Sequence, residues 1–189
     1  YSISSSCSSF WANNMTKFIR ELSTRGEYIK MELFIRNMNK RMANDILNWK
    51  YDKPYDFYNN EVTDESMKEI LDGSYYAIVD EFKELIGFFC IGKNAQVPIG
   101  NRFGVYTEDL VDMGLGMNPN LVGKGNGFEF CTYIVKFIEE HYKRTPIRLT
   151  VAKFNLRAIH LYEKLGFVME NEFSTDFAEF ITMIKKDKL

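Results

Sequence analysis

Three alternating glycines, Gly123, Gly125 and Gly127, lie in the stretch NPNLVGKGNG, after an apolar run and before a helical pattern. Glycine loses more backbone freedom on folding than any other residue, so this spacing indicates unusual dihedrals or a ligand against the main chain. The first N–H groups of a helix have no internal partner, and the helix dipole places partial positive charge there. A strand, a glycine loop and a helix in this order therefore predict a site for a phosphate or diphosphate.

Two common phosphate-binding motifs do not fit this loop. A Walker A loop requires GxxxxGK followed by Ser or Thr, but Asn118 occupies the first glycine position and Gly125 follows Lys124. The dinucleotide motif GxGxxG fails as well, because neither pair of alternating glycines is followed by a glycine three residues later. A nucleotide-binding protein is therefore disfavoured.

The loop resembles the acetyl-CoA motif Gln/Arg-x-x-Gly-x-Gly/Ala of the GNAT superfamily of N-acetyltransferases, and reads VGKGNG over residues 122–127. The preceding LGMNP, residues 115–119, resembles the family's L-x-V-x-P strand end. A second block, VAKFNLRAIHLYEKLGF at 151–167, resembles V-x-x-x-N-x-x-A-x-x-x-Y-x-x-x-G-F. Two separate blocks in the right order make the resemblance specific. One departure is Val122, which replaces the usual Gln or Arg.

The resemblance implies acetyl-CoA as a cosubstrate and direct acetyl transfer to a primary amine of a small molecule or peptide in a ternary complex. The alternative is a catalytically inactive CoA-binding sensor or interaction module with the same fold. The residues that match the family's cofactor blocks are Leu115, Gly116, Met117, Val122, Gly123, Lys124, Gly125, Asn126, Gly127, Asn155, Ala158 and Tyr162.

Three catalytic roles follow from the resemblance. The Met117 N–H matches the position of an oxyanion donor, and Tyr162 matches the tyrosine near the sulfur, where a phenol donates a hydrogen bond to the departing thiolate. Asp112 lies where some relatives have a carboxylate that faces the amine. Asp109 and Glu108 are neighbouring alternatives for that base.

The acceptor is expected at residues 49–61, WKYDKPYDFYNNE, where relatives form the acceptor wall between the first two helices. Its rings alternate with carboxylates, a combination that suits a cationic amine. The predicted substrate-binding residues are Trp49, Tyr51, Tyr55, Phe57 and Tyr58. Packing between helices explains many of these rings equally well, and the identity of the acceptor stays open.

The elements that would position these residues follow from hydrophobic periodicity. Strands are predicted at about 32–36, 74–79, 84–91, 110–117, 146–152 and 177–185, and helices at about 40–50, 63–72, 128–142 and 155–165, with a long loop at 92–109. Asn155 is the expected N-cap of the last helix and Gly166 its left-handed end.

This order of elements predicts a mixed, partly parallel sheet with helices on its faces. The resemblance implies an α/β (α+β) fold of the GNAT type. In that fold the central sheet is mostly antiparallel, and a splayed central strand opens the acetyl-CoA cleft.

Residues 31–189 are expected to form a single N-acetyltransferase domain. Residues 1–30 are expected to be an extension, either from upstream sequence or added in cloning, because they are serine-rich and Met31 opens a plausible strand. The alternative is an amphipathic helix near residues 15–22 that packs on the domain.

Composition disfavours two classes of partner. A formal net charge of −2 gives no general attraction to nucleic acid. The longest apolar runs, such as LIGFFCI at 85–91, are far shorter than the ~18 to 20 residues of a membrane span. We therefore expect neither a nucleic-acid nor a membrane partner, and relatives suggest a homodimer.

The cysteines and histidines do not form a metal-binding pattern. Cys7, Cys90 and Cys131 are odd in number and lack metal-ligand spacing, so they are interpreted as reduced, buried thiols of a cytoplasmic protein. His141 and His160 each lie on a helical stretch without a paired cysteine or carboxylate cluster. A metal site is therefore not expected.

Overall fold

The computed structural model describes residues 17–22, 28–143 and 145–186. Within them lie eight strands in one sheet with the spatial order β1-β2-β3-β4-β5-β6-β8-β7. The strands are β1 (Lys17–Leu22), β2 (Tyr28–Asn37), β3 (Tyr75–Val79), β4 (Leu85–Ile91), β5 (Val111–Met117), β6 (Ile147–Ala152), β7 (Val168–Ser174) and β8 (Glu179–Lys185). The α-helices are α1 (Lys40–Leu47), α2 (Asp64–Ile70), α3 (Gly127–His141) and α4 (Leu156–Lys164).

All neighbouring strands pair antiparallel except β5 and β6, which are parallel. The predicted mixed, mostly antiparallel sheet flanked by helices is thus confirmed. A parallel pair needs a crossover connection, and α3 provides it between β5 and β6.

The main core lies between α3 and the sheet. Ile134 and Ile138, four residues apart on one stripe of α3, are fully buried in a cluster with residues of β4, β5 and β6. A Cβ at Gly87 in β4 would lie 2.4 Å from the Phe130 ring, so a glycine there allows α3 to approach the sheet closely. Helix α3 is thereby fixed over the centre of the sheet.

The first two described strands differ most from the predicted elements. Residues 17–22 form a strand that pairs antiparallel with β2, so the helix considered for this stretch is wrong there; residues 15 and 16 lie outside the described ranges. Strand β2 begins at Tyr28 rather than near residue 32. The loop at 92–109 contains two 3-10 turns, Lys93–Ala95 and Pro98–Phe103, and no strand.

Strand β7 has no counterpart among the predicted strands. Six of its seven residues are exposed and only Phe173 is buried, because β7 lies at the edge of the sheet. Without apolar alternation, the sequence gives no strand signal there.

The central strands separate toward one end. Strands β5 and β6 pair only over Val111–Met113 and Ile147–Leu149. Beyond this point β5 continues to Met117 along β4, while β6 continues to Ala152 along β8. The predicted splayed central strand is therefore confirmed, and a gap opens between the ends of β5 and β6.

Cys90 and Cys131 are free and buried, as predicted. Burial raises the pKa of each thiol from 9.0 to about 12. Because only the thiolate is strongly nucleophilic, neither side chain has the character of a reactive cysteine.

Candidate functional site

The glycine loop combines unusual dihedrals with close packing. Gly123 and Gly125 have φ of +80° and +84°, in the left-handed region that favours glycine. A Cβ at Gly125 would meet no atom within 4 Å, so the backbone conformation, and not crowding, requires glycine there. Gly127 differs, because its Cβ would lie 3.2 Å from Leu161 of α4. The loop therefore presents open main chain on one side and packs against α4 on the other.

Helix α3 begins at this loop without a side-chain cap. Its N-cap residue, Asn126, is buried, but its side chain makes no capping hydrogen bond. The first N–H groups of α3 thus lack a capping side chain, and the dipole of this 15-residue helix favours an anion beside them. Lys124 is exposed in the same loop. This end of α3 has the chemistry of a phosphate-binding helix start.

Main-chain amides of β5 face the gap between β5 and β6. The Asn118 N–H donates to the Ile86 carbonyl at 2.9 Å, and hydrogen-bonded pairs alternate along an antiparallel ladder. Gly116 therefore also points its amide toward β4. The N–H groups of Leu115 and Met117 point the opposite way, past the last paired residue of β6. Two donors are thus aimed into the gap.

Tyr162 lies on α4 in the same core cluster as Leu115 and Met117. Burial, followed by the nearby Cys131 and Tyr58, raises its pKa well above the ordinary value of 10.0, with no contribution from a hydrogen bond. Tyr162 is buried, with 8% of its surface exposed. It is a neutral donor in a largely apolar setting.

The aromatic segment 51–58 is anchored to both sides of this region. The Tyr51 hydroxyl donates to the Met117 carbonyl at 2.9 Å, and burial raises the pKa of Tyr51 to about 12. Asn155 caps α4 by accepting from the Ala158 N–H at 3.2 Å, and its Nδ2 donates to the Tyr58 hydroxyl at 3.3 Å. These contacts bring the predicted acceptor segment to the end of β5 and the start of α4.

Apart from Tyr51, the predicted substrate-binding residues divide into two groups. Tyr55, Phe57 and Tyr58 surround Phe154, with ring centroids 6.4, 5.7 and 5.9 Å from it. Trp49 instead packs against Phe88, at 6.1 Å, in the cluster beneath α1 and α2. For Trp49 the contacts are those of helix packing, the interpretation that the sequence left open.

Asp112 occupies a buried ion pair. It is 4% exposed, and its carboxylate accepts from Arg148 Nε at 2.6 Å, Arg148 Nη2 at 2.9 Å and Gln96 Nε2 at 2.7 Å. These bonds fix both oxygens on side chains of the protein, whereas a base must present a lone pair to the amine. The buried ion pair therefore favours a structural role for Asp112 over the predicted role as the base.

The other two candidate bases lie at the same end of β5 as Asp112. Glu108 and Asp109 line an open depression of about 350 Å³ that Asp112 also borders. Asp112 is five residue steps from Met117 and three from Leu115 along β5, roughly 16 Å and 10 Å at the rise of a strand. Glu108 and Asp109 precede β5, so all three carboxylates lie toward its start, away from the Met117 amide.

Two arginines were not predicted as site residues from the sequence. Arg148 is fully buried beneath Tyr106, with its Cζ 4.9 Å from the ring centroid. A single charged residue within an otherwise apolar strand was the sequence feature that could have indicated a buried ion pair. Arg157 lies on the first turn of α4, with Nη1 3.9 Å from where a Cβ of Gly123 would be. It belongs to the second matched block, but at an unspecified position of the motif.

In the part of the chain that the structure describes, no three His, Cys, Asp or Glu side chains lie close enough together to hold a metal ion. The helices in the same ranges are too short or too polar for any of them to cross a bilayer.

Comparison with known proteins confirms the resemblance noted in the sequence. Residues 42–167, about two thirds of the chain, match the acetyltransferase (GNAT) family. No curated protein matches the chain by sequence.

Three solved acetyltransferase structures illustrate the similarity of fold. An acetyltransferase (GNAT family) from Bacillus anthracis has 16% identity and a TM-score of 0.62, covering 91% of this chain and 98% of its own. The spermidine N-acetyltransferase from Vibrio cholerae, in complex with CoA and spermine, has 20% identity and a TM-score of 0.62, covering 82% and 95%. A chimera of that Vibrio cholerae enzyme has 22% identity and a TM-score of 0.61, with the same coverage.

Asp112→Asn should destabilise the protein because it leaves the buried Arg148 without its counter-charge. We expect the free energy of unfolding to fall by about 3–5 kcal/mol, measured by urea denaturation. The matched control is Asp109→Asn, an exposed neighbour that should stay within about 0.5 kcal/mol of wild type. Equal, small losses for the two variants would contradict the structural role of Asp112.

Proposed function

Because the chain belongs to the acetyltransferase (GNAT) family, we propose that it transfers the acetyl group of acetyl-CoA directly to a primary amine in a ternary complex. The observation that carries this proposal is the gap between β5 and β6, into which the Leu115 and Met117 amides point. In this proposal the pantetheine arm of the cosubstrate lies in that gap, along β5.

The residues around the loop fit the diphosphate of acetyl-CoA. Open main chain at Gly125, uncapped N–H groups at the start of α3 and the exposed Lys124 ammonium all suit an anion. Because Gly123 and Gly125 have no side chains, an anion can approach the main chain of the loop at these two positions. We assign diphosphate binding to residues 122–127 on this basis.

The Met117 N–H serves as the oxyanion donor in this proposal. When the amine attacks the thioester, negative charge develops on the carbonyl oxygen, and a preorganised amide can stabilise it by ~3 kcal/mol. The Leu115 amide points into the same gap and is available to the pantetheine. The Tyr51 hydroxyl, through its bond to the Met117 carbonyl, positions the peptide plane that follows Met117.

Tyr162 serves as the hydrogen-bond donor to the departing thiolate. Its raised pKa keeps the phenol protonated at neutral pH, so it is available as a donor. An ordinary thiol, with a pKa of ~8.5, is a stronger acid than any such phenol, so complete proton transfer to the sulfur is uphill. A hydrogen bond that strengthens as charge builds is therefore its contribution.

The proton of the amine leaves without the help of Asp112, Asp109 or Glu108. All three lie at the far end of β5, and Asp112 is bonded to Arg148. We therefore propose that the acceptor reacts from its small deprotonated fraction, with water taking the proton.

We propose an aliphatic amine as acceptor, bound beside residues 51–58. The segment combines Tyr55, Phe57 and Tyr58 with the exposed carboxylates of Asp52 and Asp56, a surface that attracts a cation. Spermidine and spermine are the first acceptors to test, because similar folds carry N-acetyltransferases that are named for them. A panel of polyamines, amino acids and short peptides, with release of CoA thiol as the readout, tests this assignment.

A CoA-binding module without catalysis is the second candidate. The observation in its favour is the ion pair that removes Asp112 as a base. Calorimetry separates the two: the module would bind CoA tightly and release no thiol with any amine of the panel.

Tyr162→Phe should lower kcat by about 10-fold to 100-fold, because the thiolate loses a donor that acts only as charge develops. The dissociation constant for CoA should change by less than about 2-fold, since binding of the ground state does not depend on that bond. Both are measured on the same preparation. Tyr142→Phe, which removes a hydroxyl elsewhere on the edge of the core, is the control and should retain full activity. Equal losses in kcat and CoA affinity would contradict the assigned role.

The rate should rise with pH up to the pKa of the acceptor. A protonated amine cannot attack, so kcat/KM should increase about tenfold per pH unit up to the pKa of the amine, which is ~10 for an alkylamine. The raised pKa of Tyr162 keeps its phenol protonated over this range, so no fall should precede the plateau. The profile of an acceptor with a lower amine pKa should reach its plateau at a correspondingly lower pH. A plateau fixed near pH 6–7 for every acceptor would instead indicate an enzyme base.

A further inference from the structure

The glycine loop lacks the cationic or amide side chain that its motif usually carries. Val122 stands at that position and is half-buried, so it offers no hydrogen bond to a phosphate. The loop itself contributes Lys124, whose flexible ammonium acts as a point charge and does not match two phosphate oxygens at once. A planar donor from elsewhere in the fold would restore that recognition.

Arg157 reaches the loop from α4. Its Nη1 lies 3.9 Å from the position of a Gly123 Cβ, so the guanidinium extends beside the open main chain. Leu161 lies one turn further along α4, on the same face, and contacts the start of α3 at Gly127. The packing of α4 against α3 therefore directs the Arg157 face of the helix toward the loop.

Tyr55 holds the guanidinium in place. The Cζ of Arg157 lies 4.3 Å from the Tyr55 ring centroid, a cation–π contact. Within the described ranges Arg157 forms no ion pair with a carboxylate. Because stacking uses the face of a guanidinium, the N–H groups on its edges remain available to a ligand.

We propose that Arg157 donates hydrogen bonds to the diphosphate of CoA and replaces the side chain missing at position 122, with Tyr55 as its positioning residue. The proposal rests on the proposed function, since it adds a binding residue to the same cosubstrate site. It also links the acceptor segment to the cosubstrate, because Tyr55 belongs to the segment expected to bind the amine.

Calorimetric titration with CoA tests the role of Arg157. Arg157→Ala should raise the dissociation constant about 10-fold to 100-fold, the loss expected for charge-assisted hydrogen bonds to a phosphate. Arg157→Lys should fall between Ala and wild type, because it keeps the charge and loses the planar pair of donors. The control is Lys164→Ala, which removes an exposed cation at the other end of α4 and should change the constant less than about 2-fold. Unchanged thermal midpoints exclude unfolding as the cause.

A second titration with 3′-dephospho-CoA identifies the phosphate. This probe keeps the diphosphate, so the ratio of the Arg157→Ala and wild-type constants should equal the ratio found with CoA. If the effect of Arg157→Ala disappears with 3′-dephospho-CoA, the arginine binds the 3′-phosphate and the proposal is overturned.

A double-mutant cycle tests the positioning role of Tyr55. Tyr55→Leu should weaken CoA binding about 3-fold in the wild-type background and have no effect when Arg157 is already alanine. The same 3-fold loss in both backgrounds would overturn the positioning role, since Tyr55 would then act independently of the arginine.

The results for the wild-type chain and for Arg157→Ala together separate failure of the Arg157 role from failure of the proposed acetyltransferase function. If the wild-type chain binds CoA and acetylates amines while Arg157→Ala binds CoA as tightly, the inference fails and the function stands. If the wild-type chain does not bind CoA, both fail.

Discussion

The early end of pairing between β5 and β6 is the constraint on which the candidate site depends. Parallel strands satisfy each other's amides, and here they do so only as far as Met113 and Leu149. Beyond that point β5 remains paired with β4, and β6 remains paired with β8. The sheet therefore stays intact while a gap opens at its centre. A main-chain amide without a hydrogen-bond partner costs free energy when it is buried, and it can bind a ligand when it is accessible. At Leu115 and Met117 the cost is tolerable because the gap is open to solvent or to a ligand.

The rest of the fold fixes what surrounds this gap. Small residues bring the elements close: Gly87 lets α3 approach the sheet, and Gly127 lets α3 and α4 meet at Leu161. The buried ion pair of Asp112 and Arg148 joins β5 to β6 at their paired end, opposite the gap. Tyr51 ties the aromatic segment to the open end at Met117. The paired end of β5 and β6 is thus joined by hydrogen bonds and an ion pair, and the main chain at the other end is available to a ligand.

Much of this arrangement could be predicted from the sequence, for identifiable reasons. Helix α3 has strong apolar periodicity, and Asn155 and Gly166 are local capping signals that the structure reproduces. Strand β7 could not be predicted, because an exposed edge strand has no alternating pattern. The role of Asp112 depended on a partner 36 residues away, and a carboxylate near a motif does not reveal whether its charge is already paired. Trp49 shows the same limit, since a ring that packs on Phe88 and a ring that binds an amine look alike in sequence.

We propose that the cosubstrate binds to the main chain at the end of β5 and at the glycine loop. Titration of ¹⁵N-labelled protein with CoA, followed by amide chemical shifts, tests this most directly. We predict large shifts at Leu115, Met117, Gly125 and Gly127, with β3 amides unchanged. Shifts confined to Glu108, Asp109 and the depression beside Asp112, with the β5 end and the loop unaffected, would contradict it.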